Sequence, residues 1–68
     1  MSSNQFFVAT DVGGTFTDTV VVSSTGKTFI GKALSTPPDY ENGVINSIRS
    51  AADSIGIELD QLLKQTKL

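Results

Sequence analysis

Asp11-Val12-Gly13-Gly14-Thr15-Phe16-Thr17-Asp18 is the stretch on which the fold of this chain turns. An apolar run, Phe6-Phe7-Val8-Ala9, leads into it, and a β-branched run, Thr19-Val20-Val21-Val22, leads out. Aromatic and β-branched residues suit a pleated surface, and two glycines between such runs mark a sharp reversal. The stretch therefore reads as the turn of a β-hairpin, with glycines able to supply positive φ. With the reversal centred between Gly14 and Thr15, Val12 faces Thr17 and Asp11 faces Asp18. Both carboxylates then share one sheet face, whereas a bulge at the glycines would separate them.

Outward from this turn, Gln5 to Val12 reads as a strand with apolar residues on both sides, the pattern of a strand covered on both faces. Phe16 to Ser23 forms the second strand. Ser23-Ser24-Thr25-Gly26 is a polar hairpin loop, and Thr28 to Leu34 a third strand in which Gly31 marks a bulge or a close approach. Turns this short predict an antiparallel meander. Ser35-Thr36-Pro37-Pro38-Asp39 breaks the sheet as linker and cap, with Asp39 as N-cap. Apolar residues at Tyr40, Val44, Ile45, Ile48, Ala51, Ala52 and Ile55 make a helical stripe read as core, and Gly56 is placed to end it in the left-handed conformation. Leu59, Leu62 and Leu63 predict a second, shorter helix. The expected layout is a loose 1–4, three strands over 5–34, a helix over 39–56 and a short helix over 58–68. The class is α/β, or α+β as an isolated piece. One helical stripe covers only one face of a three-stranded sheet, so a longer polypeptide or partner chains are expected to complete the fold.

Composition narrows the chemistry. The chain has 68 residues, and a domain of that size buries only about 60% of its unfolded surface. It lacks cysteine and histidine, which removes disulfides, thiolate chemistry and the commonest general base. Net charge is −2, and Lys27, Lys32, Arg49, Lys64 and Lys67 are scattered, so no basic stripe invites nucleic acid. Met1-Ser2-Ser3-Asn4-Gln5 has no basic signal-peptide region, and no run approaches the roughly 20 apolar residues of a membrane span. A cytoplasmic location is the expectation.

The central turn carries hydroxyls and carboxylates where a plain hairpin needs neither. Carboxylates directly opposed across a strand pair cost about 0.2–1 kcal/mol, a sign that a bound cation reverses. Mg²⁺ suits such a place because it prefers carboxylates, water and phosphate oxygens. Amides of a tight glycine turn form a nest for anions. The division of labour read from these residues gives terminal phosphates to the amides of Gly13, Gly14 and Thr15, with hydroxyls of Thr15 and Thr17 as further donors. Asp11 holds Mg²⁺ through water, and Asp18 supports the metal's shell. The pattern is neither a Walker loop nor a dinucleotide Gly-x-Gly-x-x-Gly, so a hairpin turn rather than a helix N-terminus would grip the anion. An ordinary Gly-Gly hairpin with aspartates bonding local backbone accounts for the same residues, and both readings stand. Lys32 reads as a solvated strand lysine or as one reaching a phosphate.

Residues 11 to 18 as they stand resemble the N-terminal motif of the hydantoinase A and oxoprolinase family, which includes ATP-dependent acetone and acetophenone carboxylases. Gly31-Lys32-Ala33-Leu34-Ser35-Thr36-Pro37 and the following helix extend the resemblance from about Phe7 onward. It implies an incomplete N-terminal part of an actin-like ATPase domain of ribonuclease H-like fold, in which a first hairpin grips nucleotide phosphates. Carried over, ATP phosphates fall to Gly13, Gly14, Thr15, Phe16 and Thr17, and Mg²⁺ to Asp11 and Asp18. The implied activity is that of a carboxylase subunit activating bicarbonate or a ketone enol with ATP, or else a hydantoinase or oxoprolinase acting on a cyclic amide. Implied partners are the rest of the polypeptide or separate subunits and a small carbonyl or cyclic amide substrate. The family's next segment, a strand bearing His-Gly-Thr-Thr, is not in this sequence, so the chain is not expected to catalyse alone. A non-catalytic interaction module competes with this reading. A helix-turn-helix DNA binder is disfavoured by the acidic balance.

Overall fold

Alternation along the middle strand sets the architecture. The computed structural model describes residues 5–66, so the expectations for residues 1–4 and for the last two residues lie outside it. Three strands, β1 (Phe6–Val12), β2 (Phe16–Ser23) and β3 (Thr28–Leu34), form an antiparallel sheet in the order β1-β2-β3. Two helices follow, α1 (Tyr40–Ile55) and α2 (Leu59–Lys64). The meander expected from the short turns is therefore present, and so is the expected register: Val12 pairs with Thr17 and Asp11 with Asp18.

Thr17, Thr19, Val21 and Ser23 of β2 all point to the helix side and are buried. The core there joins Phe6, Val21, Ile48, Ala51, Ala52 and Leu62, with Val8, Phe29, Val44, Ile55, Ile57 and Leu59 packed around it. Buried threonines need partners, because an unpaired hydroxyl away from water costs about 1–3 kcal/mol. Here they have them. Ser47 donates to the Val44 carbonyl (2.8 Å), which leaves Thr19 to donate to Ser47 Oγ (2.6 Å) and Thr10 to donate to Thr19 Oγ1 (2.9 Å).

Helix α1 sits on the sheet through most of the expected apolar stripe together with two small residues outside it, Gly43 and Ser47. Its buried positions are Gly43, Ser47, Ile48, Ala51 and Ala52, whereas Tyr40 and Ile45, read as core, are 41% and 39% exposed. The cause lies in β3. A Cβ at Gly31 would collide with the Ser47 carbonyl, the Ala51 amide and the Ala51 side chain, so the helix lies directly on the strand's backbone at that point. The close approach expected at Gly31 is thus real, and it seats Ser47 and Ala51 of the helix against the strand.

The helix ends follow local chemistry. Gly56 adopts φ 93°, and its N–H bonds the Asp53 carbonyl (3.1 Å) while the Ile57 N–H bonds that of Ala52 (3.1 Å), a Schellman closure. Asp39 occupies the N-cap position, but its side chain makes no capping bond. Thr36 takes that role: its hydroxyl accepts from the Gly43 N–H (2.8 Å) and donates to the Asp39 carbonyl (2.6 Å).

The opposite sheet face has no cover among the described residues, as one helical stripe predicts. Phe7, Phe16, Val20, Ile30 and Leu34 stand exposed on it. β1, expected to be covered on both faces, is an edge strand that buries only Phe6 fully. After α2 the chain returns to that edge, where the Phe6 N–H donates to the Gln65 carbonyl (2.9 Å) and Thr66 forms a parallel bridge with Phe6. Among the described residues no helix is long and apolar enough to cross a membrane.

Candidate functional site

The β1–β2 turn is held from behind and open in front. Gly13 donates to the Phe16 carbonyl (3.0 Å) and closes the hairpin, so its amide is not available to a ligand as the sequence suggested. Neither Gly13 nor Gly14 uses positive φ. What Gly13 supplies is space, since a Cβ there would lie 2.8 Å from the Phe16 carbonyl oxygen. Gly14 is different: a Cβ there would meet no heavy atom within 4 Å. Gly14 and Thr15 are exposed, and their N–H groups make no hydrogen bond within the described residues.

Both flanking carbonyls are tied back by one residue just past β3. Ser35 donates its hydroxyl to the Gly13 carbonyl (2.7 Å) and its N–H to the Thr15 carbonyl (2.9 Å). Thr17 in turn donates to Ser35 Oγ (2.9 Å). Thr17 was expected to offer its hydroxyl to a phosphate. It is fully buried on the helix side instead, because period-two alternation puts it opposite in direction to Phe16 and Asp18. Ser35, which sequence reading treated as linker, is the residue that shapes the turn. The signal that could have found it is a hydroxyl at the first position beyond a strand paired with the turn's own strand.

On the open face the register lines up three charged side chains, Asp11, Asp18 and Lys32. Lys32 Nζ lies 3.6 Å from Asp18 Oδ1 and 5.1 Å from the centre of the Phe16 ring. Asp18 is therefore already countered by an amine, which departs from its expected part in a metal shell. Asp11 is exposed and carries no ion pair or hydrogen bond within the described residues. No cluster of three or more His, Cys, Asp or Glu side chains occurs among them. A cage for a bare cation is thus missing. One open carboxylate three and four positions before the unbonded amides suits Mg²⁺ that arrives with phosphate oxygens and keeps its water.

The structure therefore places Gly14 and Thr15 at the tip of the turn and Asp11 on the uncovered face of the strand that leads into it, and turns Thr17 away from both. A separate cavity of about 330 Å³, lined by Phe6, Ser23, Thr25, Lys27, Phe29 and Ile55, lies at the other end of β2 and shares no residue with this site.

Comparison with known proteins bears on the same elements. The sequence pattern of the hydantoinase/oxoprolinase N-terminal region matches residues 7–66. The acetophenone carboxylase gamma subunit of Aromatoleum aromaticum is 40% identical over 53 residues, covering 78% of this chain and 7% of that protein. The caprolactamase subunit alpha of Pseudomonas jessenii is 38% identical over 56 residues, covering 82% and 8%. The acetone carboxylase beta subunit of Xanthobacter autotrophicus is 40% identical over 55 residues, covering 81% and 8%. A nucleotide-free structure of acetone carboxylase, from work on ATP-dependent acetone carboxylation, superposes with a TM-score of 0.88 at 34% identity, covering 94% of this chain and 9% of that one. The chain spans less than a tenth of the length of each of these proteins. Three strands and two helices that match so small a part of a larger enzyme are consistent with an incomplete actin-like domain. By sequence pattern and by fold, this chain belongs to the hydantoinase/oxoprolinase family, within its N-terminal region.

Proposed function

We propose that this chain is the phosphate-gripping segment of an ATP-dependent enzyme, most closely of the acetone and acetophenone carboxylase type. The observation that carries this reading is the turn with unbonded amides at the exposed residues Gly14 and Thr15 and the carbonyls of Gly13 and Thr15 tied back by Ser35. Preorganised N–H dipoles stabilise phosphate charge without a reorganisation cost at the moment of reaction. Asp11 would hold Mg²⁺ through water, and the Thr15 hydroxyl would add a donor at the same mouth. The Phe16 backbone completes the rim, while Thr17 and Asp18 contribute from the second rank, Thr17 by holding Ser35 and Asp18 by holding Lys32.

ATP would supply a phosphoryl group, either to bicarbonate, whose oxygen then leaves as phosphate when the enolate carbon attacks, or to the enol oxygen of the ketone, which holds the ketone as a carbon nucleophile and is freed when the phosphate departs. The residues of this chain would orient and neutralise the phosphates, which is most of what phosphoryl transfer requires of a protein. Residues for the carbonyl substrate would come from the rest of the polypeptide or from partner subunits in the cytoplasm. The caprolactamase relative favours a second reading, in which the phosphorylated oxygen belongs to a cyclic amide that is then hydrolysed.

The test is ATP turnover by the full-length protein with its partner subunits. Thr15→Ala and Asp11→Asn are each expected to lower it at least about 10-fold, the size of one charge-assisted hydrogen bond. Asp11→Asn should also raise the Mg²⁺ concentration needed for half-maximal rate. Unchanged turnover in both variants sinks the proposal. ATP hydrolysis stimulated by ketone plus bicarbonate supports the carboxylase reading, and stimulation by a lactam or hydantoin supports the other.

A further inference from the structure

Ser35 makes three hydrogen bonds at the back of the turn, and their geometry has a consequence for the front. A peptide unit is planar and trans, so its C=O and N–H point in opposite directions. The Gly13 carbonyl shares a plane with the Gly14 N–H, and the Thr15 carbonyl shares one with the Phe16 N–H. Ser35 draws the first carbonyl back with its hydroxyl at 2.7 Å and the second with its N–H at 2.9 Å. Each bond thereby aims an N–H of the turn away from Ser35.

Ser35 is itself held firmly. The Thr17 hydroxyl donates to Ser35 Oγ and fixes its rotamer, and Thr17 is fully buried. Behind it lies α1, whose Gly43 approaches so closely that a Cβ would come within 3.0 Å of the Leu34 carbonyl oxygen and 3.3 Å of Ser35 Cα and the Thr36 nitrogen. Thr36, the next residue, is tied into the first turn of that helix. The turn is thus anchored through one serine to the helix–sheet core.

We infer that Ser35 is a positioning residue that presets the Gly14 amide for a phosphate anion; the inference rests on the phosphate grip proposed above. It touches no ligand. Its contribution is to remove the reorganisation that an unanchored glycine turn would undergo on binding. Ser35→Ala retains the N–H bond to Thr15 but loses the hydroxyl that fixes the Gly13–Gly14 plane.

The experiment measures Mg·ATP, Mg·ADP and adenosine binding to the full-length protein by calorimetry, with thermal unfolding in parallel. Variants are Ser35→Ala, Ser35→Thr and Thr19→Val, the last removing a buried hydroxyl bond away from the turn. Ser35→Ala is expected to weaken both nucleotides about 10-fold, as expected for one lost hydrogen bond, and adenosine less than about 2-fold. Ser35→Thr, which keeps the hydroxyl, should restore most of the affinity. Thr19→Val should lower the melting temperature without a loss selective for phosphates. Equal weakening of adenosine and ATP, or full ATP affinity in Ser35→Ala, overturns the inference while leaving the phosphate grip intact. Failure of the wild type to bind either nucleotide removes both. If Ser35→Ala does not fold, hydrogen exchange in the wild type decides. Nucleotide-induced protection at Gly14 to Phe16 supports the role, and exchange there that ignores bound nucleotide refutes it.

Discussion

The sheet has two hairpin turns, and they use their backbone in opposite ways. The β2–β3 turn is closed upon itself. Ser23 donates to the Lys27 carbonyl (2.8 Å), Gly26 to that of Ser23 (2.9 Å), and Lys27 to Ser23 Oγ (3.1 Å), while Ser24 reaches Gln5 (2.9 Å). Its glycine, Gly26, has φ 90°, the conformation for which glycine is needed in such a place. The β1–β2 turn has two glycines and neither is left-handed. It makes one bond of its own, from Gly13 to Phe16, and leaves the next two amides without a partner among the described residues. The first turn bonds the amides of Ser23, Ser24, Gly26 and Lys27, whereas the second leaves those of Gly14 and Thr15 unbonded among the described residues. Glycine in the first serves conformation, and in the second Gly13 makes room for the Phe16 carbonyl.

The most damaging change should strike what both turns share. Gly31 pairs with Thr19 midway along the sheet and lies against α1. Gly31→Ala would force the helix off the strand at the Ser47 carbonyl and the Ala51 amide. A loss of about 3 kcal/mol is expected, the upper part of the range for overpacking a core. Urea unfolding measures it, and a loss below about 1 kcal/mol would mean that the helix does not bear on the strand there.

A paired test then separates the turns. Gly14→Ala should leave stability within about 0.5 kcal/mol, because no neighbour and no positive φ resists the new methyl. If the turn grips phosphate as proposed, the substitution should weaken nucleotide binding about 10-fold by standing where the phosphate would approach, an effect of one hydrogen bond's size. Gly26→Ala should do the reverse, costing about 1 kcal/mol through left-handed strain and leaving nucleotide affinity unchanged. Should both variants affect the same quantity, the contrast between the turns is lost.

The difference also explains which features were legible in the sequence. Turn position, strand register and the Gly56 helix end depend on local backbone chemistry, which Gly13-Gly14-Thr15, Ser23–Gly26 and Gly56 state openly. The way α1 lies on the sheet does not, because the decisive partner is an absent side chain at Gly31. Apolar periodicity found Ile48, Ala51 and Ala52 but also favoured Tyr40 and Ile45, while close contact with strand and linker backbone added Gly43 and Ser47. Likewise β2 alternates between Thr17, Thr19, Val21 on one face and Asp18, Val20, Val22 on the other, and polarity alone does not rank them. The threonines went inward because Ser35 and Ser47 meet their hydroxyls there. Ser35 itself read as linker because its partners are Gly13 and Thr15, 20 or more positions earlier in the chain.

The smallest expected effect concerns the charged row beside the open turn. Lys32 and Asp18 are both well exposed, at 59% and 42%, so their ion pair and the amine's contact with Phe16 together contribute less than about 1 kcal/mol. Lys32→Ala removes that and also leaves Asp18 facing Asp11 with no counter-charge. The resulting repulsion should be visible at low ionic strength and fade in about 1 M salt, where the Debye length is near 3 Å. Mg²⁺ gives the sharper readout. If Asp11 and Asp18 share one accessible face, millimolar Mg²⁺ should raise the melting temperature of Lys32→Ala more than that of the wild type at matched ionic strength. Equal responses would show that the two carboxylates do not act on one cation. Asp11 would then be left alone at the mouth of the turn, and any Mg²⁺ there would depend on phosphate oxygens for the remainder of its shell.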